Sequence, residues 1–378
     1  MELHSELARP LLLIYNDSLT SGMVPQDWRI AEVVPIFKKG SKAEPGYQSD
    51  PLRSPEMFKL KADVLRFKEV ENQLKEVLGT SVLSPIGPAH GGCISQAQNY
   101  NTDQGHVFVK INQGTQAKTM FNGEVASLAA IRKTCTVNVP EPIMVSELPT
   151  GGALLIMKHI EMRHIGKFAG KLGEQLADLH LDNWMRKRTM QKHSGTIGKC
   201  PGDLRPVDMF GFHTTTCCGY IPQINEWQKD WGMFFVTQRL QPQFSLIEKD
   251  YADRILLELW SELQMKIQNA FKGTVIVPSL LHGDLWEANV AEDEQGPVVF
   301  DPGSFYGHSE YDLSIDEMFG IHSQDFFTAY HRKIPREFGF EVRHQLYQLF
   351  HSLNNWNHFG LLFREGSLNL MRCLLQIL

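Results

Sequence analysis

LLHGDLWEANVAEDEQGPVVFDPGS, residues 280–304, is the stretch on which the fold turns. An apolar pair delivers His282, Gly283 and Asp284. Asn289 follows that aspartate at a spacing of about five, as in a catalytic loop of the H-R-D-x-x-x-x-N kind. A second apolar run, VVF, delivers Asp301. Either acid alone reads as a turn cap, because Asp readily bonds nearby backbone N–H groups. Two acids and a carboxamide in this order ask for a partner upstream.

That partner is a lysine. VFVKIN places Lys110 in the third strand of a strand-rich segment, and Glu124 lies in the amphipathic helix expected over 115–133. Protein kinases hold a strand Lys against the α- and β-phosphates of ATP by pairing it with a helix Glu. In that scheme Asp284 takes the place of the base, and Asn289 and Asp301 take the places of the metal ligands. Mg²⁺ prefers oxygen donors, few of them from protein, so one carboxylate and one carboxamide suit it. GPAHGGC (87–93) lies between two expected strands. Its Gly91 and Gly92, followed by Cys93, would let backbone N–H groups approach polyphosphate. Such a loop alone is more often a plain hairpin. No Walker motif is present, and no GxGxxG follows a strand. KDYADR (249–254) lacks the second Asp of a polymerase YADD and lies in a helical pattern.

Composition narrows the class. The chain has 378 residues, enough for two lobes, with 42% hydrophobic and 10% aromatic residues and a formal net charge of −6. Acidic and basic residues are interspersed, which argues against a nucleic-acid or membrane-surface binder. No apolar run approaches the roughly 18–20 residues that span a bilayer. LLLIY (11–15) is too short for a signal segment and has Glu2 and Glu6 before it. A cytoplasmic protein is therefore expected. The six cysteines form no CxxC pair, and Cys217–Cys218 are expected as buried thiols.

The order of elements is α+β. Strand signals at 81–86, 94–100, 106–112 and 152–160 precede helical signals at 170–183, 247–267 and 344–359. A strand-rich lobe over 56–158 and a helix-rich lobe over 159–378 follow from that order. Residues 1–55 are proline-rich, carry the basic patch FKKGSK and show little periodicity.

From about residue 60 the chain resembles the fructosamine-3-kinase/ketosamine-3-kinase family. The stretches that carry the likeness include FNGEVASL, LGEQLADLHLDN, GFHTTTCCGYIPQINEW, LLHGDLW and SFYGHSEYDL. The resemblance implies a protein-kinase-like two-lobed fold and ATP-dependent phosphorylation of the sugar 3-hydroxyl of ketosamines. These are fructosamine, ribulosamine and psicosamine adducts on amines and protein lysines, and their phosphorylation leads to deglycation. It implies Asp284 as base, Asn289 and Asp301 as Mg²⁺ ligands, and Lys110, oriented by Glu124, on the ATP phosphates. It places Met157, His159 and Ile160 in a hinge that receives adenine. For Cys93 it implies redox sensitivity, with either a monomer or a disulfide-linked homodimer.

Two residues depart from the family pattern. Glu287 and Ala288 stand where a Ser-Gly or Gly-Gly pair is usual, adding a negative charge and a Cβ beside the expected triphosphate. They motivate an alternative reading, a catalytically weakened pseudokinase or nucleotide-binding interaction protein. A protein Ser/Thr kinase is disfavoured, since no APE-type motif follows Asp301. Residues 1–55 resemble a fragment of a non-LTR retrotransposon reverse transcriptase without its catalytic carboxylates. They are expected to form a disordered leader.

Overall fold

The structure is a computed structural model that describes residues 70–91, 94–149, 151–193, 205–315 and 324–378. The leader over 1–55, Gly92 and Cys93 lie outside the described residues.

Five antiparallel strands build the first layer: β1 (Leu83–Gly91), β2 (Gln96–Thr102), β3 (Gly105–Asn112), β4 (Pro142–Glu147) and β5 (Ala153–Lys158), in the order β1-β2-β3-β5-β4. The alternation in β3 sorts its side chains. Val107, Val109 and Ile111 are buried on one face, and Phe108 and Lys110 occupy the other. Because β3 is flanked by β2 and β5, Lys110 is central rather than the solvated edge residue a lone strand lysine usually is. β1 is longer than its sequence signal. It takes in most of the glycine segment, and its register against β2 shifts between Ile86 and His90, with Gly87 at φ 69°.

α1 (Ala117–Thr134) packs against this sheet through Ala117, Phe121, Glu124, Leu128 and Ile131. Those positions recur at helical spacing, so Glu124 interrupts an otherwise apolar stripe. After β5 the chain forms β6 (Arg163–His164) and the long helix α2 (Ala169–His193).

The remaining chain is mainly helical. A short hairpin, β7 (Thr216–Cys218) and β8 (Ile221–Gln223), precedes α3 (Trp231–Phe235), a π-helical turn (Val236–Leu240), α4 (Gln241–Tyr251) and α5 (Arg254–Lys266). The periodicity over 247–267 predicts one helix, but the structure has two. Ala252 adopts a left-handed φ of 49° that ends α4, and Asp253 caps α5 by accepting from Leu256 N at 3.0 Å. The turn is pinned from outside by Arg364, whose Nε donates to Asp253 at 2.5 Å.

Very short strands then carry the stretch at 280–304: β9 (Ser279–Leu280), β10 (Val290–Glu292), β11 (Pro297–Val299) and β12 (Tyr306–Gly307). β9 pairs with β12, and β10 lies between β11 and β6. Helices α6 (Gln324–Lys333), α7 (Phe340–Phe359) and α8 (Arg364–Ile377) complete the fold. Below the short strands Trp231, Phe235, Phe305, Tyr311 and Tyr347 form a buried aromatic cluster. No helix among the described residues is long and apolar enough to cross a membrane.

Candidate active site

Lys110, Glu124, Asp284, Asn289 and Asp301 share one cavity of about 530 Å³, together with Phe108, Met120 and Trp286. Five of the residues singled out from sequence spacing are thus brought together. Met157 is buried in β5, and His159 follows it with its N–H donated to the His106 carbonyl at 3.2 Å. Neither these two nor Ile160 is among the residues that line this cavity.

Lys110 is the electrostatic centre. Its Nζ lies 2.9 Å from Glu124 and 2.7 Å from Asp301. Burial pulls the ammonium down, but the two carboxylates outweigh it and hold its pKa above the usual lysine value. Asp301 itself adopts a left-handed φ of 58°, a strained choice for a residue with a Cβ. The lysine contact is what its side chain gains there.

Asp284 is fixed from three directions. Asn289 Nδ2 donates to its carbonyl at 2.8 Å and to its carboxylate at 3.0 Å. With the amide nitrogen so used, Asn289 Oδ1 is the atom left for a cation. His282 is wholly buried, and burial holds its pKa below the ordinary value, so it is neutral. Its Nε2 donates to the Phe300 carbonyl at 3.0 Å, which leaves Nδ1 to accept from Asp284 N at 3.3 Å. One imidazole therefore joins the catalytic turn to the residue before Asp301. Gly283 has φ 86°, and a Cβ there would stand 2.3 Å from the Gly303 carbonyl, so only glycine fits.

The third anchor is Asp312, which spacing did not single out. Its carboxylate accepts from His282 N at 2.6 Å, from Gly283 N at 2.8 Å and from His180 Nε2 at 3.1 Å. Burial raises its pKa, yet these bonds outweigh it and keep the group ionised. Its only sequence signal was membership, with His180, of the stretches SFYGHSEYDL and LGEQLADLHLDN.

Burial, seconded by the charge of Asp301, pushes Asp284 up to about 7, which suits a base that works near neutral pH. Of the two departures, Glu287 is not among the residues lining the cavity and Ala288 is. Glu287 is half exposed and turns toward His164, 4.0 Å away. Ala288 sits in the 3₁₀ turn Glu287–Asn289 and is not among the residues with positive φ. Cys218 is buried as expected, but Cys217 is only half-buried and lines the cavity. No cluster of three or more His, Cys, Asp or Glu residues able to hold a metal occurs among the described residues. Asn289 and Asp301 both bring side-chain oxygens to the cavity, the kind of donor that Mg²⁺ prefers.

The fructosamine kinase family model matches residues 66–377. The chain is 55% identical over 305 residues to the ketosamine-3-kinase of Mus musculus, covering 80% of this chain and 99% of that protein. It is 35% identical to the chloroplastic protein-ribulosamine 3-kinase of Arabidopsis thaliana, covering 78% of this chain and 84% of that one. Among solved structures, one from Thermobifida fusca named as a fructosamine-3-kinase superposes with a TM-score of 0.65 at 23% identity. The match covers 81% of this chain and 98% of that chain, and at this identity it speaks for the fold.

Proposed function

The chain belongs to the fructosamine kinase family, and from that premise we propose that it is a ketosamine-3-kinase that phosphorylates the sugar 3-hydroxyl of glycated amines and glycated protein lysines. The observation that carries the reading is Asp284, half-buried, clamped by Asn289 and with its pKa raised to about 7, in one cavity with the Lys110–Glu124–Asp301 charge triad. Its neutral-range pKa lets Asp284 take the proton of the sugar hydroxyl as that oxygen forms its bond to phosphorus. ATP is the phosphoryl donor in this reading, and the bond between its terminal phosphorus and ADP breaks. Lys110, held by Glu124, is the group for the donor's phosphates, and Asn289 and Asp301 are the residues for Mg²⁺. Magnesium held there supplies charge neutralisation during transfer. The loose transition state of phosphoryl transfer makes positioning the main task of the protein, which the clamp on Asp284 performs. The 3-phosphate then leaves by elimination as inorganic phosphate, and hydrolysis of the resulting imine by water frees the amine, which is deglycation.

Single-turnover transfer from ATP to a model fructosamine and a model ribulosamine tests this. The expected result is an acceptor-dependent 3-phosphate. Nucleotide binding without transfer to either sugar would favour the interaction-protein reading. Cys93 is the residue proposed for a redox-linked dimer, and non-reducing gels of wild type and Cys93→Ser after oxidant treatment decide it.

A further inference from the structure

Arg239 takes no part in this chemistry, is 1% exposed, and forms no ion pair with a carboxylate among the described residues. It sits in the π-helical turn Val236–Leu240, a distortion that recurs at functional sites. Burying a guanidinium without a counter-ion is costly, and burial has lowered its pKa to about 10. Phe234 and Phe305 flank it, with ring centres 4.7 Å and 4.0 Å from Cζ. What it holds explains its retention. Nη1 donates to the Ile224 carbonyl at 2.6 Å, and Nη2 donates to Asn225 Oδ1 at 2.6 Å. Asn225 passes the restraint on, its Nδ2 donating to the Thr214 carbonyl and to Thr216 Oγ1, both at 2.9 Å.

One buried cation therefore ties the chain before β7 to the chain after β8. The hairpin between them presents Cys217 and Gly219 to the cavity that contains Asp284. On its other flank it leans against α1. A Cβ on Gly123 would stand 2.5 Å from the Thr215 carbonyl, one residue before Glu124. In the proposed function the donor phosphates lie on Lys110 of the sheet, while the hairpin residues Cys217 and Gly219 line the same cavity as Asp284.

We propose that Arg239, acting through Asn225, is a positioning residue that holds the β7–β8 hairpin as the acceptor-facing wall of the site. The proposal rests on the ketosamine kinase reading for its acceptor, and on the hydrogen-bond chain for its geometry.

Arg239→Met and Asn225→Ala break the chain. Asn225→Asp keeps an oxygen for Arg239 but loses the amide donor to Thr214 and Thr216. Each variant is assayed for KM toward a model fructosamine and toward ATP, and for the rate of Cys217 alkylation mapped by peptide mass. In the wild type a low rate is expected, because burial pushes the Cys217 thiol up to about 11. The expected result for the first two variants is an acceptor KM raised about tenfold, an ATP KM within about twofold, and faster Cys217 labelling. Asn225→Asp is expected to fall between them and wild type. Equal rises in both KM values overturn the proposal, as does unchanged Cys217 labelling or lowered thermal stability with both KM values intact. A wild type that phosphorylates no ketosamine sinks the functional reading, whereas the labelling comparison still decides the clamp.

Discussion

The five-stranded sheet and the catalytic turn face the same cavity but fix their charged groups by different means. Lys110 stands on a strand bonded along both edges, and Glu124 stands in the packed stripe of an 18-residue helix. Regular hydrogen-bond ladders place both. Asp284 instead lies between strands of two and three residues, too short for their own ladders to hold. Its position depends on three buried polar anchors: Asp312, His282 and Asn289. Side-chain hydrogen bonds from buried residues, charged at Asp312 and neutral at His282, take over where secondary structure runs out, and each is costly to lose because of that burial.

That contrast is open to breakage at graded points. Asp284→Asn is expected to lower single-turnover transfer by roughly 10³-fold or more, as loss of the base removes several kcal/mol of barrier lowering. Near-normal turnover would remove Asp284 from the mechanism. Asp312→Ala orphans the His282 and Gly283 N–H groups and the His180 ring. It should cost on the order of 3 kcal/mol of stability in urea unfolding. A loss below about 1 kcal/mol would mean that the turn is held by something other than this carboxylate.

Lys110→Met tests the sheet side. It should lower kcat/KM for ATP about 10²-fold, or ~2.7 kcal/mol, through the donor step. An effect as large as that of Asp284→Asn would erase the distinction between the two regions. The proposed base, Asp284, works in its ionised form, so kcat/KM should rise with pH through about 7 and level off above it. Asp301→Asn removes a neighbouring negative charge, so the Asp284 carboxyl should titrate lower, by about one unit. Carboxyl NMR of the free protein reads that shift, and an upward one contradicts the assigned cause. The smallest change is expected at Glu287→Ser. The ATP KM should stay within about twofold, since that carboxylate points to His164. A larger effect would place Glu287 in the donor site.

Much of the site was legible before the structure. Asp284, Asn289 and Asp301 declared themselves by spacing, because local chain length sets how far apart a turn can present its side chains. Lys110 and Glu124 declared themselves because a charge stood in an apolar strand and an acid in an apolar stripe. Asp312 did not, since its partners are the His180 ring and the His282 and Gly283 N–H groups, brought to it by folding. Arg239 was equally silent, since its partners Ile224 and Asn225 reach it only through folding. The break at Ala252 was missed because helical periodicity continues through it, and what stabilises the break is Arg364 on a distant helix.

By itself the sequence determined the class of fold, the strand that carries the lysine, the helix that carries its glutamate and the order of the three catalytic-turn residues. All of these follow from local periodicity and spacing, which a chain possesses before it folds. Only the tertiary structure decided that desolvation and Asp301 push the Asp284 pKa up to about 7, that Glu287 turns toward His164, and that one uncompensated arginine holds Asn225 beside the hairpin. Desolvation and long-range hydrogen bonds exist only once distant segments meet, so no reading of neighbouring residues could have supplied them.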